Sequence, residues 1–206
     1  MSLSLWLALL GACLVISCTP GAGAINTMAN SLGAGWARSI WGILGQQLAL
    51  VVHIAIVAAG VGALVSRSHV AFEVIRYIGA AYLVYLGIRQ LRSHAAVGAS
   101  PPQELREPAW SMFRRGLLVN LTNPKAIVFF LAFLPQFVRP AQPLLPQYVV
   151  LTATVVTVDV LVMWCFFATA ARGLARLTAR ESGRRTVNRV FGGLFVGVGV
   201  LLAAVH

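Results

Sequence analysis

The sequence predicts an all-α integral membrane protein with six transmembrane helices, arranged as two inverted three-helix repeats whose opening helices, the first and the fourth, are broken. Three observations carry this. Of 206 residues, 59% are hydrophobic and 10% charged, and mean hydropathy is +0.83, whereas a soluble domain carries roughly 25% charge. The apolar residues form continuous runs, unlike the alternating segments of about ten residues that barrel strands need. Prolines interrupt the first and fourth runs near their middles. The scarcity of charge excludes disorder, three cysteines are too few for a disulfide scaffold, and 19 aperiodic glycines exclude collagen. At about 20 residues per span, the length holds about six spans and no separate soluble domain.

The first span, residues 3–32, is interrupted at Thr19-Pro20-Gly21. Ala22-Gly23-Ala24 has the small-x-small form of a signal cleavage site, but residues 1–5 hold no Lys or Arg, so the helix is expected to be kept. The second span, 40–65, lines up Gly42, Gln46, Ala49, His53, Ile56 and Gly60 on one helical face. That stripe suits either close helix packing or a cavity wall. His53 there either relays a proton or is hydrogen-bonded within the bundle. The third span is 74–91, and the fourth, 113–138, is interrupted at Asn123-Pro124-Lys125. The fifth, 148–171, carries Asp159 near its centre, and the sixth is 190–205. Gly193 and Gly197 in the last span suit a packing or dimer face, so a homodimer is one expectation.

Two halves can be superposed. The third span contains Arg76, Gly79 and Tyr82, and the sixth contains Arg189, Gly192 and Phe195: both read R-x-x-G with an aromatic three residues later, at an offset of 113. The proline breaks correspond at an offset of 104. Three spans per half make the second half enter from the opposite side, an inverted-topology repeat. One membrane domain over 1–206 is therefore expected, with repeats at 1–92 and 113–206 joined by a cytoplasmic connection at 93–112.

Orientation follows from arginine placement. The side holding the loops after spans one, three and five carries Arg38, Arg89, Arg92, Arg106, Arg114, Arg115, Arg172, Arg176, Arg180, Arg184, Arg185 and Arg189. The other side carries Arg67, Arg76 and Arg139. Both termini are expected outside, in the periplasm, with 92–112 and 172–189 in the cytoplasm. These arginines flank spans without interleaved aromatics, so the net charge of +11 is topogenic, with anionic lipid contact secondary, and no nucleic-acid partner is expected.

The chemistry gathers at the breaks. Proline removes an amide and clashes with the preceding turn, so Pro20 and Pro124 should kink or unwind their spans at mid-membrane. Gly21 and Gly23 then permit close approach, and the half-helix after each break aims free N–H groups at an anion such as a carboxylate. Lys125 is the single lysine of the chain and Asp159 the one acid deep in a span. Ionised groups at the bilayer centre are costly, so the two should face each other or a water-filled cavity, as part of a site or as a structural pair. Gln46 corresponds to Asp159 at the 113 offset. Asn26 and Asn30 after the first break, and Asn120 and Asn123 around the second, offer further polar contacts. Cys13, Cys18 and Cys165 read as packing residues. No CxxC, HExxH or His/Cys pairing at ligand spacing occurs, so no metal or other cofactor is expected.

The stretch NLTNPKAIVFFLAFLPQF at 120–137 is similar to the fourth-span signature of the LysE/RhtB family of bacterial amino-acid exporters. Thr19-Pro20-Gly21, the run YIGAAYLVYLG at 77–87, His53, Asp159 and Asn188-Arg189 also match. Ala22 departs from the pattern, standing where the family commonly has a second proline. The resemblance covers essentially the whole chain. It implies a secondary transporter of the bacterial cytoplasmic (inner) membrane, exporting amino acids or derivatives and driven by a proton or other ion gradient. Apart from Asp159, no acid lies deep enough to pair with a cationic side chain, which favours neutral substrates such as threonine, homoserine or aliphatic amino acids. A passive channel is the main rival, since broken helices also line pores. A membrane-embedded enzyme lacks a catalytic set, because Ser17, His53 and Asp159 have no spacing that joins them.

Overall fold

The computed structural model describes residues 1–65, 69–92, 107–139 and 141–204, and these are helical, with no strand among them. Arg67, Arg106 and positions 93–106 of the expected connection lie outside the described residues.

Helix α1 (Leu3–Cys18) opens on Ser2, whose Oγ accepts from the Leu5 amide at 3.4 Å. It ends where Pro20 can no longer donate to the helical ladder. Thr19 closes the last turn, its amide and its Oγ1 both donating to the Val15 carbonyl. Helix α2 (Ala22–Ala34) then departs at 57° to α1. The second break is built alike: α5 (Ala109–Leu121) stops before Asn123-Pro124, and the chain resumes at 52° as α6 (Pro124–Val128). Pro124 occupies the first helical position, where its missing N–H costs nothing. Beyond α6 the helix widens into a π turn (Phe129–Phe133) and then tightens into a 3-10 turn (Leu134–Phe137) around Pro135.

Helix α3 (Ile40–Val65) follows a short 3-10 turn (Ala37–Ser39), and α4 is His69–Arg92. Helix α7 (Leu144–Leu161) passes through a second π segment (Val162–Ala168) into α8 (Thr169–Ala179), and α9 is Glu181–Ala204. By length and apolarity, Ala37–Gly60 and Leu144–Leu177 each suffice to cross a membrane, and the two bent pairs bring the number to four among the described residues. Helices α4 and α9 are further long helices of the bundle. At 24 residues each they are about 36 Å long, and both carry charge toward an end.

The sequence expectation of a loop over 172–189 is corrected. That stretch is mostly helical, and α9 begins at Glu181 rather than at 190. Hydropathy marks where a helix leaves apolar surroundings, not where its hydrogen bonds stop. Arg172, Arg176 and Arg180 remain exposed there.

The helices pack in three principal pairs: α4 with α9, α3 with α5, and α1 with α7. Glycine makes two of these pairings close. A Cβ on Gly116 of α5 would stand 2.0 Å from the Gly42 carbonyl of α3, and one on Gly192 of α9 would stand 2.8 Å from the Gly87 carbonyl of α4. Gly193 and Gly197 belong to neither contact, since a Cβ at either meets nothing within 4 Å. The packing alternative for those two is thus corrected: Gly192 and Gly199 carry the α9 contact instead. The core includes Leu9, Ile43, Leu83, Leu134, Leu151 and Phe167, all shielded completely, and places the two breaks side by side.

Candidate substrate cavity at the two helix breaks

A cavity of about 50 Å³ lies where the breaks meet. Its polar lining is Ser17 of α1, Gln46 of α3, Asn120 and Asn123 at the end of α5, Lys125 of α6 and Asp159 of α7, with Gly21 and Gly23 at the start of α2. Cys13, Leu50, Phe129, Phe130, Val155 and Met163 make much of its apolar wall. At roughly 10–15 Å³ per water on this measure, it has room for about three to five water-sized groups.

Asp159 is buried, and both its oxygens are held. Ser17 Oγ donates to Oδ1 at 3.0 Å, and Gln47 Nε2 donates to Oδ2 at 2.8 Å. Lys125 reaches across to the other break, where its ammonium donates to the carbonyls of Ile16, at 2.6 Å, and Thr19. Those carbonyls lie at the C-terminal end of α1, which attracts a cation because its last carbonyls have no helical donors. Lys125 thereby fastens the second break to the first. Its charge and that of Asp159 lie within electrostatic reach of each other. One cavity therefore contains one carboxylate and one ammonium.

An amide chain forms the remaining polar wall. Gln46 Nε2 donates to the Gly23 carbonyl at 3.2 Å and to Thr27 Oγ1 at 3.1 Å. Asn120 Nδ2 donates to the Gln46 carbonyl at 3.2 Å, and Asn123 Nδ2 donates to Asn120 Oδ1 at 3.3 Å. Asn123 also caps α6, accepting from the Lys125 amide at 3.1 Å. Gly23 eases this closeness, since a Cβ there would stand 3.0 Å from Gln46 Oε1 and push the amide aside. Gly21, the N-cap of α2, supplies no side-chain cap, so the first amides of α2 are left for water or a ligand.

Of the residues singled out from sequence, Gly21, Gly23, Gln46, Asn123, Lys125 and Asp159 line the cavity together. Pro20 is buried at its break, while Pro124 is exposed. His53 lies one ring away, stacked on Phe130 with centroids 5.6 Å apart. Asn26 and Asn30 turn elsewhere, onto Arg115. The stripe on α3 is buried from Gly42 to His53 and then faces outward at Ile56 and Gly60.

Sequence reasoning missed Ser17 and Gln47 as partners of Asp159. Gln46-Gln47 is visible as a polar pair in an apolar run, but counting along one helical face selects the first and discards the second. Ser17 precedes Pro20 by three residues, so the break itself was the available clue. Cys13 is buried in the cavity wall, Cys18 is half-buried and Cys165 exposed, all as free thiols.

The model of the LysE type translocator family matches residues 14–205. The chain is 43% identical over 204 residues to an uncharacterized membrane protein of Vibrio cholerae, covering 98% of each chain. It is 41% identical to the homoserine/homoserine lactone efflux protein of Salmonella typhimurium, covering 99% of this chain and 98% of that one. It is 28% identical to the leucine efflux protein of the same organism, covering 99% and 96%. No solved structure matches the chain. The family model and full-length relatives above 40% identity agree with the fourth-span motif now seen lining the cavity, and the chain belongs to the LysE type translocator family.

Proposed function

We propose that the protein exports neutral amino acids or their derivatives, homoserine-like or aliphatic, from the cytoplasm across the bacterial inner membrane, driven by a proton or other ion gradient. One observation carries the reading: a single carboxylate and a single ammonium face one cavity where two broken helices meet. A zwitterion is complementary to that arrangement. Its amine pairs with Asp159 in place of the Ser17 or Gln47 donors, and its carboxylate takes the uncapped amides at the start of α2, favoured by the Lys125 charge. With no second acid in the lining, a cationic side chain would find no partner there.

The relatives' names support the amine as the shared handle. Homoserine and its lactone both carry an α-amine, but the lactone has lost the free carboxylate. Asp159 is accordingly the anchor common to both. The cavity is smaller than a whole amino acid, so it widens or opens for loading, as alternating access requires.

The two-repeat architecture, with six spans and both termini periplasmic, belongs to this proposal. Packing supports it: exchanging the halves turns the α3–α5 pairing into the α7–α1 pairing and leaves α4–α9 paired with each other. The two breaks bend by similar angles, 57° and 52°.

The test is a panel of amino acids applied to cells with and without the protein. Expression should raise tolerance to toxic excess of at least one neutral amino acid and lower its internal concentration, and an uncoupler should abolish the gradient. A panel with no change in tolerance or efflux would overturn the reading, and efflux that only equilibrates would make the protein a channel.

A further inference from the structure

A second polar cluster lies apart from the cavity, around Arg115 of α5. Its Nε donates to Asn26 Oδ1 at 3.0 Å, and one terminal nitrogen donates to Asn30 Oδ1. The other terminal nitrogen meets the Glu107 carboxylate at 2.8 Å. Ser111 Oγ donates to the same carboxylate at 2.7 Å, and Arg38 donates to the Glu107 carbonyl at 2.8 Å. The cluster ties α2 to α5 on the arginine-rich side of the cavity. Asn26 follows Gly23 along α2 by about one turn, and Arg115 precedes Asn120 along α5 by slightly more.

The burial is graded. Asn26 and Asn30 are 6% and 0% exposed, whereas the Arg115 and Glu107 side chains are 33% and 12% exposed. The two asparagine amide nitrogens have no hydrogen-bond partner among the described residues and lie toward Gly42, leaving the oxygens turned to the guanidinium. One edge of Arg115 is thus held by buried asparagines, and the other meets the less buried Glu107 carboxylate. Across the same helix, Ser31 Oγ donates to the Ala168 carbonyl at 2.6 Å, and Trp36 stacks on Trp164 at 4.8 Å. Helix α2 is therefore clasped on both flanks beyond the cavity.

We propose that the Arg115–Glu107 pair is a binding site for zwitterionic amino acids at the cytoplasmic mouth, and that occupancy opens it: the solute's carboxylate takes Arg115 while its ammonium takes Glu107. This rests on the export reading and orientation above. Separating a partly buried ion pair leaves two charges unpaired, which is costly, whereas exchanging partners with a zwitterion keeps both paired. The arginine fork suits a carboxylate in two-point contact. A solute lacking either charge strands one partner and opens the clasp less readily, so a lactone should enter more weakly than its open amino acid. The asparagines keep the guanidinium in place while its other edge changes partner.

The experiment measures homoserine exchange in inside-out and right-side-out membrane vesicles, for the wild type, Arg115→Gln and Glu107→Gln. Each variant should raise the half-saturating homoserine concentration at the cytoplasmic face by about tenfold, as loss of a charge-assisted contact does. At the opposite face the shift should stay within about twofold, because the cavity itself is untouched. Equal shifts at both faces, or none at the cytoplasmic face, would overturn the proposal. Absence of both variants from the membrane would make the pair scaffold and overturn it too. A wild type that exchanges neither homoserine nor leucine would instead sink the export reading, and this inference with it.

Discussion

Asp159 and Lys125 differ in what holds them, and so in what their loss should do. Asp159 rests on two neutral donors, Ser17 and Gln47. An asparagine there keeps the shape, and the Gln47 amide can turn to present Oε1, which has no partner now. Asp159→Asn should therefore keep near-normal membrane abundance and lose concentrative efflux. Lys125 is bonded to two backbone carbonyls at the first break. Lys125→Met should cost about 2–3 kcal/mol of stability, seen as earlier thermal unfolding in detergent, and should weaken transport. The Asp159→Asn, Lys125→Met double variant should remain without concentrative efflux. Full efflux from it would reduce the pair to scaffold. Both residues were legible in the sequence because each is the lone charge of its kind at depth. Gln47 was not, since a helical face says which residues point together and not which neighbouring span they meet. Asn26 was drawn to Arg115, 89 positions away, and no local pattern announces a partner at that distance.

At the scale of elements, the breaks were legible because a proline's missing amide is a local fact, and both fall where Pro20 and Pro124 dictate. The π segments at Phe129–Phe133 and Val162–Ala168 were not. Over five to seven residues of mostly apolar sequence, a change of helical pitch leaves no periodicity to read. Nor does any single-helix pattern show which glycines sit at a contact. Gly116 faces the Gly42 carbonyl at a distance no Cβ tolerates, and the obstacle is backbone, which cannot rotate away. Gly116→Ala should separate α3 from α5 and destabilise the protein by about 1–3 kcal/mol, read as lower membrane abundance and earlier thermal unfolding. Gly193→Ala, on a face with nothing within 4 Å, should change neither. Equal tolerance of the two substitutions would mean that the α3–α5 approach is not a determinant of stability.

For the whole molecule, orientation decides whether the cavity loads from the cytoplasm, and charge is its physical determinant. Twelve arginines fall on one parity of the loops and three on the other, a bias that short loops obey because moving arginine across the membrane is unfavourable. The helical course of 172–189 leaves that bias intact: Arg172, Arg176, Arg180, Arg185 and Arg189 are all exposed, so they remain free to face headgroups or water. Arg38 and Arg115 converge on Glu107 from two different spans, which places the ends of those spans on one side. With the six spans proposed, both chain ends would fall on the opposite side. A periplasm-active reporter fused after His206 should be active, and one placed at Ala99 should be silent. The reverse pattern would turn the Arg115 cluster outward and make the same cavity load from the periplasm. Activity at both positions would instead remove one of the three proposed spans between Ala99 and His206 from the count.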